Sequence, residues 1–358
     1  MPPLSAIDAI TPAWQHTRRL LLGPRDPRLF FKIAAVAFFA EMLSGSFSFS
    51  RPFNAAHGAG STGAAPIFTA AILGIIVVAA VIGLVLGLVF FYLSSRLQFT
   101  IFHIVLRSET TVAPVWRRYG LATWRWMGLK LLLFLCAFAC LAPVLIPGIF
   151  YFIHAFTQQS RGDHSDIVGL ILVGVCFVAL FILFGLALAI ASILLRDFGL
   201  PSMALEGTSL RETVRRVITL TRAETGPVAL YILLRFCLAI AGGFIAELLI
   251  AIFAIVVGAP LGGLGFGLWA TLHTAGTAAR TGMIGGWVIL ALALVAALAV
   301  AVISLFGYLF TFLQAYAIFF LSGRYPLMGQ LLTEPPAPVV PSRSPQAWTP
   351  AFGTPPPV

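Results

Sequence analysis

Two carboxylates, Glu41 and Glu247, stand in runs that are otherwise apolar, Phe38-Phe39-Ala40-Glu41-Met42-Leu43 and Phe244-Ile245-Ala246-Glu247-Leu248-Leu249. A charge in such surroundings is costly to maintain, so these acids are the first candidates for proton or cation handling. Brought into one cavity they could share a proton or coordinate a cation, since two close carboxylates do not both ionise without a bridge. Each could equally stay protonated or bond a neighbouring helix. A second set of charges, Arg196, Asp197, Glu206, Arg222, Glu224 and Arg235, borders apolar stretches. It could lock a helix connection through ion pairs, or its arginines could grip a lipid phosphate.

Other reactive residue types suggest less. His154, Asp163, His164 and Asp166 share one short segment but lack an HExxH-like helical spacing, so a solvated loop is expected rather than a metal site. The glycine-rich run 258–267 has neither a preceding strand nor a P-loop lysine, and is expected to bend or re-enter rather than cradle a nucleotide. Cys136, Cys140, Cys176 and Cys237 all lie in apolar stretches and form no disulfide or zinc pattern. Gly83 and Gly87 make a GxxxG pair, expected to serve internal helix packing. From these residues no catalytic set, cofactor site or metal signature can be assembled.

The elements that must position these groups are set by composition. Of 358 residues 60% are hydrophobic and 9% charged, where soluble domains carry about 25% charge. Marking the charges leaves six apolar stretches, at 30–47, 67–93, 131–153, 167–195, 226–257 and 287–321. Each can span about 30 Å of hydrocarbon as a helix, the first only just. The last two exceed a straight crossing and are expected to tilt, bend or project. The fold expected is therefore an all-α, polytopic membrane protein with six transmembrane helices.

With six crossings both termini share a side. Nineteen basic residues fall on that side and only Arg51, Arg161 and Arg280 on the other. The positive-inside bias makes the first side cytoplasmic, which places the protein in the inner membrane. The first 22 residues carry Asp8, Gln15 and His16 and lack an unbroken apolar core, so no cleavable signal peptide is expected. The net charge of +10 is accounted for by this topology and by anionic headgroups, with no nucleic-acid module beside it. On this plan Glu41 and Glu247 lie roughly 14 and 18 Å beyond Lys32 and Arg235, near mid-membrane.

Three segments divide the chain: an interfacial cytoplasmic stretch at 1–29, the transmembrane region at 30–332, and a tail at 333–358 rich in proline. That tail should be unfolded or polyproline-II; its Pro338-Val339-Val340-Pro341 fits a minimal PxxP docking pattern. Ser209-Leu210-Arg211-Glu212 is a capping box. It opens a helix with Leu210, Val214, Val217 and Leu220 on one face and arginines largely opposite, suited to the inner leaflet. Trp116, Tyr119, Trp124 and Trp126 among positive charges have the composition of an interfacial belt. Basic aromatic segments before the odd-numbered spans suggest three repeated units, each an interfacial helix followed by a hairpin.

The most distinctive stretch runs Asp197-Phe198-Gly199-Leu200-Pro201-Ser202-Met203-Ala204-Leu205-Glu206-Gly207, followed by Leu220-Thr221-Arg222-Ala223-Glu224 and Tyr231-Ile232-Leu233-Leu234-Arg235-Phe236. It resembles a family of multi-pass archaeal and bacterial membrane proteins that forms a domain of unknown function. More distantly, it is similar to the membrane region attached to some bacterial glycerophosphodiester phosphodiesterases. The resemblance implies an integral-membrane module with no assigned reaction, and the soluble phosphodiesterase domain has no counterpart here.

The function expected is a non-enzymatic module for membrane organisation, lipid handling or partner assembly, in contact with anionic lipid and a membrane-protein partner. A small-solute or ion permease using Glu41, Glu247 and Arg235 is the alternative, and an intramembrane lipid-modifying enzyme the third reading.

Overall fold

The computed structural model describes residues 3–23, 26–43, 66–108, 112–159, 167–272 and 277–333. They are all-α, and no strand occurs among them. In order they form α1 (Ile10–Leu22), α2 (Pro27–Met42), α3 (Pro66–Arg107), α4 (Val112–Arg118), α5 (Gly120–Gln159) and α6 (Ile167–Leu194). A π-helical turn (Leu195–Gly199) then leads to α7 (Leu200–Leu205), α8 (Leu210–Ala223), α9 (Thr225–Leu272), α10 (Thr277–Ser322) and α11 (Pro326–Thr333). Local chemistry sets several boundaries. Asp26 caps α2 by accepting from the Arg28 N–H at 3.0 Å, with Pro27 in the first turn. Ser209 caps α8 by accepting from the Glu212 N–H at 3.4 Å. Gly207, at φ +65, makes the left-handed turn between α7 and α8.

Five helices among the described residues are long and apolar enough to cross a membrane, at Val77–Arg107, Gly120–Pro143, Ile171–Leu205, Thr225–Gly263 and Ile284–Ser322. The expected count of six is corrected at the first stretch. There the described helix is α2, whose 16 residues reach about 24 Å, short of the hydrocarbon thickness. Residues 44–47 of that stretch lie outside the described residues. One face of α2 buries Ile33, Ala34, Ala37, Ala40 and Glu41 against α3 and α10, while Phe39 and Met42 stay exposed. A short apolar helix has the same composition whether its surroundings are lipid or protein.

The long helices run through the charges that border their apolar stretches. Arg96, Lys130, Arg196 and Arg235 all sit inside continuous helix. The run 258–267 is helical as well, within α9 and with Pro260 inside it, so a re-entrant loop is replaced by helix. At 48 and 46 residues, α9 and α10 are about 70 Å long, twice what a crossing needs.

That surplus length builds a packed end. Phe99 to Leu106 of α3, Phe306 to Leu321 of α10, Ala13 and Leu21 of α1, Leu200 and Met203 of α7 and Tyr231 of α9 form one buried core. The backbones of α2 and α10 approach so closely at Gly307 that a Cβ there would lie 2.3 Å from the Ala34 carbonyl oxygen. The Tyr316 hydroxyl donates to the Ala6 carbonyl at 3.0 Å and Arg324 to the Leu4 carbonyl at 3.0 Å, fastening the N-terminal segment beside the end of α10. Beyond this core the helices continue as apolar arms exposed on most sides, with Leu84, Leu131, Leu183, Ile255 and Ile289 all open. Such surfaces are stable only against lipid or another protein.

The expected interfacial elements turn out to be partly internal. The apolar face of α8 packs on the core, with Thr213 and Val217 buried and Leu210, Val214 and Leu220 against it. Trp126 is buried and donates to the Gln98 side-chain oxygen at 2.8 Å, while Trp124 stays exposed. The four cysteines are exposed free thiols. Among the described residues nothing lies within 4 Å of where a Cβ at Gly83 or Gly87 would stand, so the pair packs against no described helix. The tail from residue 334 and the segment 160–166, with Asp163, His164 and Asp166, lie outside the described residues.

Candidate functional site

Charged groups converge where the packed end meets the arms, and the π-helical turn organises them. Adding a residue to the helical turn shifts the register of the side chains that follow, a device common at functional sites. Here consecutive residues face different helices. Arg196 reaches α2, where it is ion-paired with Glu41, and α10, where it donates to the Gln314 side-chain oxygen at 3.3 Å. Asp197 reaches α9, where it is ion-paired with Arg235 and accepts a hydrogen bond from the Tyr231 hydroxyl at 2.7 Å. Tyr231 and Arg235 share one face of α9 at i, i+4, and the guanidinium donates to the Tyr231 oxygen at 2.9 Å.

The cluster is deep. Asp197, Arg235, Tyr231 and Glu41 are all buried. Lys130 extends it from α5, donating to the Ser95 hydroxyl at 3.3 Å and lying over the rings of Phe91 and Trp126. Stacked aromatic rings seal its other side: the Tyr231 centroid is 4.4 Å from that of Phe320 and 5.1 Å from that of Tyr316. Two buried atoms, Arg196 Nε and Asp197 Oδ1, have no partner among the described residues.

Nearer the surface of the packed end a second set of pairs braces helix to helix. Glu206 accepts from Tyr325, and Arg216 donates to Glu206 at 2.5 Å and to Glu212 at 2.8 Å. The Tyr325 hydrogen bond, with Arg216 behind it, holds the Glu206 carboxyl below its ordinary range. Arg324 donates to Glu224 at 2.6 Å, joining the end of α10 to the start of α9. Arg222 is exposed.

The second group expected from the sequence is thus partly assembled: Arg196, Asp197 and Arg235 meet in one cluster, whereas Glu206 and Glu224 pair elsewhere. Glu41 joins the arginines, a pairing that spacing along the chain does not signal. Glu247 is exposed on the apolar part of α9, about 18 Å along the axis from Arg235. The structure does not bring Glu41 and Glu247 together. Sequence reasoning also missed Lys130, Tyr231 and Gln314 as members of the cluster. Only the i, i+4 spacing of Tyr231 and Arg235 offered a signal for one of them.

Chemically, this arrangement is a cross-brace. Each buried carboxylate is paired with a guanidinium, and breaking such a pair strands a charge at a cost of about 3 to 5 kcal/mol. The cluster therefore ties α2, α6, α9 and α10 at the level where their arms diverge.

No curated protein and no solved structure matches the chain. A family model described as a family of unknown function, DUF7544, matches residues 4–331. That range includes every ion-paired residue above, from Glu41 to Arg324, together with the Leu4 carbonyl that Arg324 holds. The chain belongs to the family of unknown function DUF7544.

Proposed function

We propose that the protein is a non-enzymatic inner-membrane module that organises lipid or supports a membrane partner, with its packed end and both termini in the cytoplasm. One observation carries this reading: among the described residues the buried carboxylates Glu41 and Asp197 are held in ion pairs that brace the base, while the apolar arms above it leave their surface open. A transporter would need the opposite, a solvated path to unpaired groups. The 19 basic residues assigned to one side support the orientation, as does the fastening of the Leu4 and Ala6 carbonyls to α10 at the packed end. The element order, with the short helices α4 and α8 each before a pair of long ones and α1 before the shorter α2 and the long α3, is in keeping with a threefold layout.

The test is proton flux in reconstituted vesicles. Vesicles containing the wild-type protein should hold a pH gradient as long as empty ones. A leak that Glu247→Gln or Glu41→Gln abolishes would replace this reading with the permease. Glu247 is exposed, so its variant reports on transport without disturbing the buried cluster.

A further inference from the structure

A groove of about 310 Å³ opens on the packed end between the start of α5 and the α7–α8 turn. Its size falls at the lower end of small-ligand sites. Arg118 and Arg125 line it, as do Leu121, Ala122, Met203 and Ala204, and no carboxylate does. Neither arginine is ion-paired among the described residues. The Arg125 guanidinium donates to the Gly207 carbonyl at 2.7 Å, which fixes it on the groove wall. A guanidinium has five donors, so the remaining N–H groups stay available. The hydroxyl of Thr208, also on the wall, is engaged with Thr213 at 2.8 Å and with Ser202 at 3.3 Å and adds no free donor.

Two further features point to one ligand chemistry. Leu121, Ala122 and Arg125 of the lining stand at the start of α5, a 40-residue helix beginning at Gly120. The first amides of a helix lack intrahelical acceptors and favour an anion. Leu121 of its lining is exposed, as is Trp124 one turn further on. Arg125 lies six residues before Leu131, the first of the exposed apolar residues that follow Lys130 on α5, or about 9 Å along the axis. That distance is comparable to the depth of the headgroup layer.

We infer that this groove binds a phosphate ester group, held by Arg118 and Arg125 at the N-terminus of α5, with the apolar lining accepting the adjoining part of an anionic amphiphile. The phosphate could belong to a phospholipid headgroup or to a soluble phosphate, and the experiment separates the two. The inference rests on the reading of the packed end as a membrane-facing base. It is tested by binding and the module by flux, so the two fail separately.

The full-length protein in detergent is titrated with phosphatidylglycerol, and bound lipid is counted by native mass spectrometry. A parallel titration uses inorganic phosphate, read by thermal shift. Arg118→Gln, which removes no observed contact, should weaken retention about tenfold, and Ala204→Trp should do so by filling the groove. Arg211→Gln, an exposed arginine on α8, should leave retention unchanged. Loss confined to the lipid titration identifies a headgroup site, and the same loss with inorganic phosphate identifies a soluble phosphate. Retention unaffected by Arg118→Gln and Ala204→Trp, or reduced equally by Arg211→Gln, would overturn the inference.

Discussion

Arg196 and Glu41 are ion-paired across the interface of the π-helical turn with α2, with side-chain exposures of only 11% and 8%. The pair joins a helix whose described length falls short of a bilayer to one long enough to cross it, at the level where the arms begin. Glu41→Gln should lower stability by about 3 kcal/mol, because Arg196 would be left buried with an unmatched charge. Thermal unfolding in detergent, followed by circular dichroism, measures it. The double variant Glu41→Leu with Arg196→Leu should recover most of the loss, since it leaves neither charge stranded.

Gly307 tests the closest backbone approach. A methyl group placed there meets the Ala34 carbonyl at 2.3 Å, an atom that cannot rotate away. Gly307→Ala should destabilise by about 1 to 3 kcal/mol. Gly83→Ala, where nothing lies within 4 Å, should leave the melting temperature unchanged or raise it slightly, as alanine is the better helix former. Equal effects at both positions would contradict the α2–α10 contact.

Tyr231 donates to Asp197 and accepts from Arg235, so removing its hydroxyl takes one hydrogen bond from each charge. Tyr231→Phe should cost about 2 kcal/mol while keeping the ring stack with Phe320. Unfolding in detergent reads the difference, and a neutral outcome would show that the ion pair needs no third member.

His16 makes the docking of α1 sensitive to acid. Its Nε2 lies 2.8 Å from the Val105 carbonyl oxygen, to which the neutral ring donates. Burial, reinforced by the nearby Arg19, lowers its pKa below the ordinary 6.5 despite that hydrogen bond. The folded state therefore binds the proton less readily than the unfolded chain. Stability is full above pH 6.5 and declines as pH falls through the lowered folded value. Melting temperatures between pH 7.5 and 5 should fall for the wild type and fall less for His16→Gln.

Ser209 supports α8 through its cap alone. Its partner in the capping box, Glu212, has turned to Arg216, so the reciprocal half of the box is replaced by an ion pair. Ser209→Ala should cost about 1 kcal/mol. Hydrogen exchange should locate that loss in the first turn of α8.

The sequence by itself determined the solvent and the helix class. Scarce charge and runs of more than 20 apolar residues leave no other way to satisfy a backbone in lipid, and capping at Ser209 is a local event. Its limits lie where a residue's partner is distant in sequence. The apolar stretch of α2 reads as a crossing because a helix buried in protein and one buried in lipid require the same side chains. The apolar face of α8 reads as membrane-bound for the same reason, yet it is covered by the core. Glu41 reads as an unpaired acid because Arg196, its partner, comes from a turn whose register the π-helix resets. Only the tertiary structure could decide these, since it alone brings separate segments together and determines whether each apolar face meets lipid or protein and each charge meets its opposite.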